Sequence, residues 1–185
     1  MKLFSAVRIP QRAIDQIRTQ TESLFDDYPS YNWVPLHNYH VSLHYIGEVT
    51  EAKLPIAVEH IQNKLYDVPV TNMYTYGADL FMDEQITIYI YFQRNKTIED
   101  ISRRLYDLFE AGSLKKRKEY IPHITIARYK IPSKQQYFLL KKKLAKLKVD
   151  VEFAVEDIHL YESIETRKNP QYKIVASIPL LNEKK

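Results

Sequence analysis

Two short stretches constrain this chain more than anything else in it. "NYHVSLHYIG", residues 38 to 47, alternates aliphatic residues with His40, Ser42 and His44, and "YIPHITIARYK", residues 120 to 130, does the same with His123 and Thr125. In an extended strand, residues i and i+2 share a face about 7 Å apart. His40 with Ser42, and His123 with Thr125, therefore each project from one side of a strand. Val41 and Leu43, or Ile124 and Ile126, face the other way into a core. Each strand is anchored by its aliphatic side and presents an imidazole and a hydroxyl on the other, the arrangement a rigid reactive site needs. A chain that carries this pattern twice, 83 residues apart from His40 to His123, has reason to fold the two strands towards one another.

The other elements follow from punctuation and periodicity. Residues 2–9 read as a strand, after which Pro10 opens a helix with Ile14, Ile17, Leu24 and Phe25 at helical spacing. Residues 39–46 form the first histidine strand, ended by Gly47, and a helix over about 51–66 follows. Two strands are expected at 70–81 and 85–92. The second sets Ile86, Ile88 and Ile90 opposite Thr87, Tyr89 and Tyr91. Asn95 or Thr97 caps a helix that Gly112 stops near 110, Pro122 marks the start of the second histidine strand, and Ser133 caps a lysine-rich helix to about 147. Single strands at 149–163 and 171–180 close the chain. The expectation is an α+β fold with helices outside one or two sheets.

Composition narrows the function. The chain has 185 residues, 45% hydrophobic and 27% charged, with three glycines and no flexible linker, which favours one unit over tethered domains. The absence of cysteine rules out disulfides, thiolate metal sites and a cysteine nucleophile, and fits a cytoplasmic setting. Arg8 and Pro10 interrupt the first apolar run too early for a secretory signal, and no apolar stretch approaches the ~20 residues of a membrane span. A net charge of +4 permits a polyanionic partner without requiring one. Basic runs at Lys115–Lys118 and, on the last helix, within "KKKLAKLK" (141–148) are either RNA-attracting surfaces or solvated faces. Zinc on His37, His40 and His44 is disfavoured because His37 falls on the opposite parity and no carboxylate completes the set.

Four blocks, "LFSAVRIP" (3–10), "NWVPLHNYHVSLHYIGEV" (32–49), "YIPHITIAR" (120–128) and "LYESIETRKNPQYKIV" (160–175), resemble in order the two-histidine phosphoesterases. Within that superfamily they are most similar to the RNA 2′,3′-cyclic phosphodiesterases, also called LigT-like 2′-5′ RNA ligases. The resemblance implies a single bilobal unit over residues 1–185, with two pseudo-twofold-related lobes whose antiparallel sheets line a cleft. It implies His40 as proton donor, His123 as proton acceptor, and Ser42 and Thr125 as phosphate donors. No cofactor or metal is expected, the substrate is RNA or a nucleotide ending in a 2′,3′-cyclic phosphate, and a monomer is favoured. A 2′-5′ ligase or phosphodiesterase using the same site, or a non-catalytic module that binds RNA ends, are the alternatives. Arg128 is a phosphate-binding candidate that strand parity turns away unless a bulge re-aims it. Parity places His44 on the cleft, and Phe4 and Tyr172 are further cleft candidates. Asn169 stands where the family has a glycine, and is expected to take the left-handed backbone of that turn.

Overall fold

The computed structural model describes residues 1–82, 84–111, 119–130, 133–167 and 169–182, and among them has nine strands and five α-helices where the sequence signals give seven and four. β1 (Lys2–Arg8) ends two residues before Pro10, whose φ of −61° and extended ψ start α1 (Gln11–Gln20). The expected single helix is in fact two. Buried Thr21 turns its hydroxyl back onto the Ile17 carbonyl at 2.8 Å, and α2 (Glu22–Asp27) starts afresh after it. A two-residue strand, β2 (Asn32–Trp33), is held by the Trp33 ring stacked on Phe25 at 3.9 Å. A 3-10 turn (Leu36–Asn38) then leads into β3 (His40–Glu48). Gly47 does not end this strand. With φ of 93° it sits inside it, where the β1 register skips Ile46.

α3 (Leu54–Leu65) is followed by β4 (Thr71–Met82) and β5 (Ile86–Phe92). α4 (Lys96–Phe109) is capped by Asn95, whose Oδ1 accepts the Ile98 N–H at 3.0 Å. Gly112, the expected stop, lies outside the described residues. β6 (His123–Tyr129) is the second histidine strand, and α5 (Lys134–Leu144) begins with the expected Ser133 cap, completed by Gln136, but stops short of 147. The expected strand at 149–163 divides at Glu156 into β7 (Glu152–Val155) and β8 (Asp157–Ile164), which join different sheets. The buried positions change phase there, from Val151, Phe153 and Val155 to Ile158 and Leu160. β9 (Gln171–Pro179) ends the fold.

The strands form two antiparallel sheets, ordered β3-β1-β8-β9 and β2-β6-β5-β4-β7. One continuous core lies between sheets and helices. It takes Leu3, Val41 and Leu43 from the first sheet, Ile88, Ile90, Ile124 and Ile126 from the second, Ile61 and Leu65 from α3, and Ile98, Ile101 and Leu105 from α4. The other face of the first sheet carries a small separate cluster of Phe4, Ala6, Tyr161 and Tyr172. β3 is an edge strand of its sheet and β6 lies next to the edge of the other, so the sheets meet along the two histidine strands. Ile124, fully buried behind His123, anchors that strand. Ile124→Ala is expected to lower the unfolding free energy by about 2–5 kcal/mol, read from denaturant midpoints at constant m-value.

Candidate active site

Each histidine is held by the same local device. His40 Nδ1–H donates to the Asn38 carbonyl and His123 Nδ1–H donates to the Ile121 carbonyl, both at 2.7 Å and both two residues upstream. A carbonyl oxygen can only accept, so the proton of each neutral ring is on Nδ1 and Nε2 is left to the cleft. His40 Nε2 meets the Ser42 hydroxyl at 3.0 Å. Aromatic rings brace both imidazoles. Phe4 and Tyr172 lie 5.1 Å from His40, and Phe81 and Tyr89 lie 5.2 and 5.5 Å from His123.

The two rings open onto one cavity of about 220 Å³, lined by Val34, Asn38, His40, Ser42, His123, Thr125, Arg128 and Tyr172. At ~30 Å³ per water it would hold about seven, room enough for a phosphate and part of a ribose. Burial lowers the pKa of His40, and the charges of His123 and Arg128 push it further down against the Asn38 hydrogen bond. His123 is lowered in the same way, by burial and then by Arg128, against the pull of the Ile121 carbonyl.

Two bulges decide which neighbours join them. In β6 the register runs Tyr89↔Thr125 and then Ile88↔Ala127, so Ile126 is an extra residue. Ile126 and Ala127 are both buried, and Arg128 returns to the face of His123 and Thr125. In β3 the register runs Ala6↔Ser42 and then Ser5↔His44, which makes Leu43 the extra residue and reverses the parity beyond it. His44 therefore leaves the cleft where alternation had placed it. It stacks on Phe109 of α4 at 5.8 Å and 11°, with Tyr106 edge-on at 6.1 Å. Phe4 does not line the cavity either. It is buried behind His40 and stacked on Tyr161 at 5.3 Å. Tyr172 does line it.

Asn169 does not take a left-handed backbone, since Gly47 alone among the described residues has positive φ. Its turn is closed by the Thr166 hydroxyl donating to the Asn169 carbonyl at 2.5 Å. His44 points away from His40, and among the described residues no three His, Cys, Asp or Glu side chains gather as a metal-binding group. On α5, Lys141 pairs with Asp79 and Lys143 with Asp27. Those two lysines thus serve the fold; Lys115–Lys118 lie outside the described residues. No helix among the described residues is long and apolar enough to cross a membrane.

Sequence reasoning did not single out Asn38, although it lines the cavity, supplies the carbonyl for His40 and donates from Nδ2 to the Pro170 carbonyl at 2.8 Å. It also passed over Tyr120, Phe81, Tyr89 and Tyr161. Phe81, Tyr89 and Tyr161 reach the histidines from other strands, and the partner of Tyr120 lies 78 residues away, so none has a local signal beyond hydrophobicity.

The profile of the 2′-5′ RNA ligase superfamily matches residues 7–167. The chain belongs to this superfamily. It is 29% identical over 178 residues to the RNA 2′,3′-cyclic phosphodiesterase of Methanocaldococcus jannaschii, covering 95% of this chain and 98% of that protein. It is 24% identical over 182 residues to the protein of the same name from Thermotoga maritima, covering 95% and 93%. Among solved structures, the Thermus thermophilus protein TT0787 shares the fold at TM-score 0.78 and 21% identity over the whole of both chains. E. coli LigT complexed with 3′-AMP shares it at TM-score 0.73 and 19% identity over 97% of each.

Proposed function

We propose that this chain is an RNA 2′,3′-cyclic phosphodiesterase that opens the cyclic phosphate to a 2′-phosphate by paired histidine acid–base catalysis. The observation that carries this reading is the pair of imidazoles, each with Nδ1 tied to a carbonyl, directed with Arg128 into one cavity. A 2′,3′-cyclic phosphate is a strained diester. Opening it requires removal of a proton from water on one side of phosphorus and delivery of one to the departing oxygen on the other. His123 Nε2, unprotonated, takes the proton as the water oxygen bonds to phosphorus. The bond to the 3′-oxygen breaks, and His40, protonated at Nε2, gives its proton to that oxygen.

Ser42 and Thr125 donate to the non-bridging oxygens, and the Arg128 guanidinium offsets the charge that builds on them. Every step is supplied by side chains of one chain, so a monomer suffices. The name borne by the relatives supports the choice of substrate. Incubation with 2′,3′-cyclic AMP is expected to yield 2′-AMP by mass and chromatographic analysis. A 3′-AMP product would reverse the roles of the two ends, and an unchanged substrate would overturn the reading. Release of AMP from 2′-5′ oligoadenylate, with the cyclic nucleotide left intact, would instead favour a 2′-5′ phosphodiesterase.

The pH dependence follows from the direction of both shifts. The productive enzyme has one imidazole neutral and one protonated, and this form is most populated midway between the two titrations. Both lie below the ordinary histidine value of 6.5 in the free protein. The kcat/KM profile, which reports the free enzyme, is therefore expected to peak below pH 6.5 and to fall through neutrality. A bound phosphodiester anion raises both pKa values, so the kcat profile is expected to lie to the alkaline side of the kcat/KM profile. A flat response between pH 5 and 8 would contradict the scheme.

A further inference from the structure

The seam between the two histidine strands is tied differently at its two ends. At the Arg128 end the tie is the chain itself: β2 pairs with β6, the Val34 N–H donates to the Ile126 carbonyl at 2.9 Å, and the Leu36–Asn38 turn carries the chain on into β3. At the His123 end the hydrogen bond across the seam among the described residues comes from a side chain. The Tyr120 hydroxyl, three residues ahead of His123, crosses to the other sheet and donates to the Ser42 carbonyl at 2.9 Å.

That carbonyl belongs to edge strand β3 and sits at the Leu43 bulge, where the register with β1 shifts. The adjacent Leu43 carbonyl is met in the same manner by the buried Ser102 hydroxyl of α4 at 2.9 Å. Tyr120 packs its ring on the core, and burial raises the phenol pKa, so the hydroxyl remains a donor throughout the working range. Its acceptor belongs to the residue whose hydroxyl touches His40 Nε2 at 3.0 Å. The next two residues of its own chain lead, through the Ile121 carbonyl that orients His123, to the second ring.

From this continuous path we infer that Tyr120 is a positioning residue, whose hydroxyl sets the gap between His40 and His123 by joining the start of one histidine strand to the backbone of the other. The inference rests on the proposed two-histidine chemistry for its kinetic consequence, but not for its structural one. In-line attack and departure require both Nε2 atoms to reach one phosphorus at the same time, and small displacements of a reacting group are costly in rate.

The test is Tyr120→Phe, which keeps the ring and removes one oxygen. With 2′,3′-cyclic AMP, kcat is expected to fall roughly ten- to hundredfold while KM stays within about twofold, because the loss is in alignment and not in ground-state binding. In the substrate-free protein, NMR titration of the imidazoles is expected to show the His40 midpoint moving up, as the charge of His123 acts on it from further away. Unaltered histidine titrations with kcat within about twofold of the parent would overturn the inference. So would a rate loss that vanishes once the assay temperature is set well below the melting point of the variant, since that marks a purely structural role. Failure of the parent protein to hydrolyse any cyclic phosphate would remove the proposed function, and the titration would still decide the role of Tyr120.

Discussion

Replacing His123 with alanine is expected to lower kcat/KM for a 2′,3′-cyclic nucleotide by roughly 10²–10⁴-fold, the usual contribution of a positioned proton-transfer group. His40→Ala is expected to cost about the same. The informative result is the double variant. In the proposed scheme, water activation and leaving-group protonation belong to one concerted displacement, and residues that act as a unit give losses far from additive. The double variant should therefore be little worse than either single one, as measured under single-turnover conditions. Neither ring is part of the main core, and the strands that carry them are anchored by Val41, Leu43, Ile124 and Ile126 on the opposite face. Circular dichroism and melting curves should thus remain close to those of the parent. Substantial turnover by either single variant would end the paired-histidine scheme.

Arg128→Ala is expected to produce the second large effect, and a more diagnostic one. In the proposed scheme the Arg128 guanidinium is a fixed positive charge beside the reacting phosphate, and loss of one such contact to developing charge typically costs about 10²–10³-fold in kcat. Lysine at this position should restore only part of the rate, because it offers a point charge where arginine offers a planar, two-pronged donor. The sign of the accompanying pH effect is set by the electrostatics. Arg128 pushes His40 and His123 downwards, so removing it lets both titrations rise, and the optimum of kcat/KM should move to higher pH. A variant with reduced rate and an unmoved optimum would show that the Arg128 charge does not act on the histidines.

The part of the site that was legible in the sequence was its strand-local part. His40 with Ser42, and His123 with Thr125, share a face because neither pair spans a bulge, and two-residue periodicity is a property of any extended backbone. Helix starts at Asn95 and Ser133 were legible for a similar reason, since their own side chains accept the capping hydrogen bonds, and Pro10 marks a start through its fixed φ. Helix and strand interruptions were harder. The break of the first helix at Thr21 depends on a side chain turning back onto Ile17, and the division at Glu156 appears only as a phase change in which residues are buried.

The amino-acid order alone determined that the chain has two rigid strands, each offering an imidazole and a hydroxyl on the face opposite its anchoring aliphatics. It also determined that these 185 residues offer no cysteine thiol. Only the tertiary structure decided that Arg128 enters the cavity and His44 leaves it for α4, that Phe4 backs His40 instead of lining the cleft, and that Tyr120 reaches across to Ser42. The physical reason is that a bulge is a mismatch between two strands and a seam is a meeting of two sheets. Each is set by partners distant in sequence, and a single extra residue in the ladder turns every later side chain to the other face.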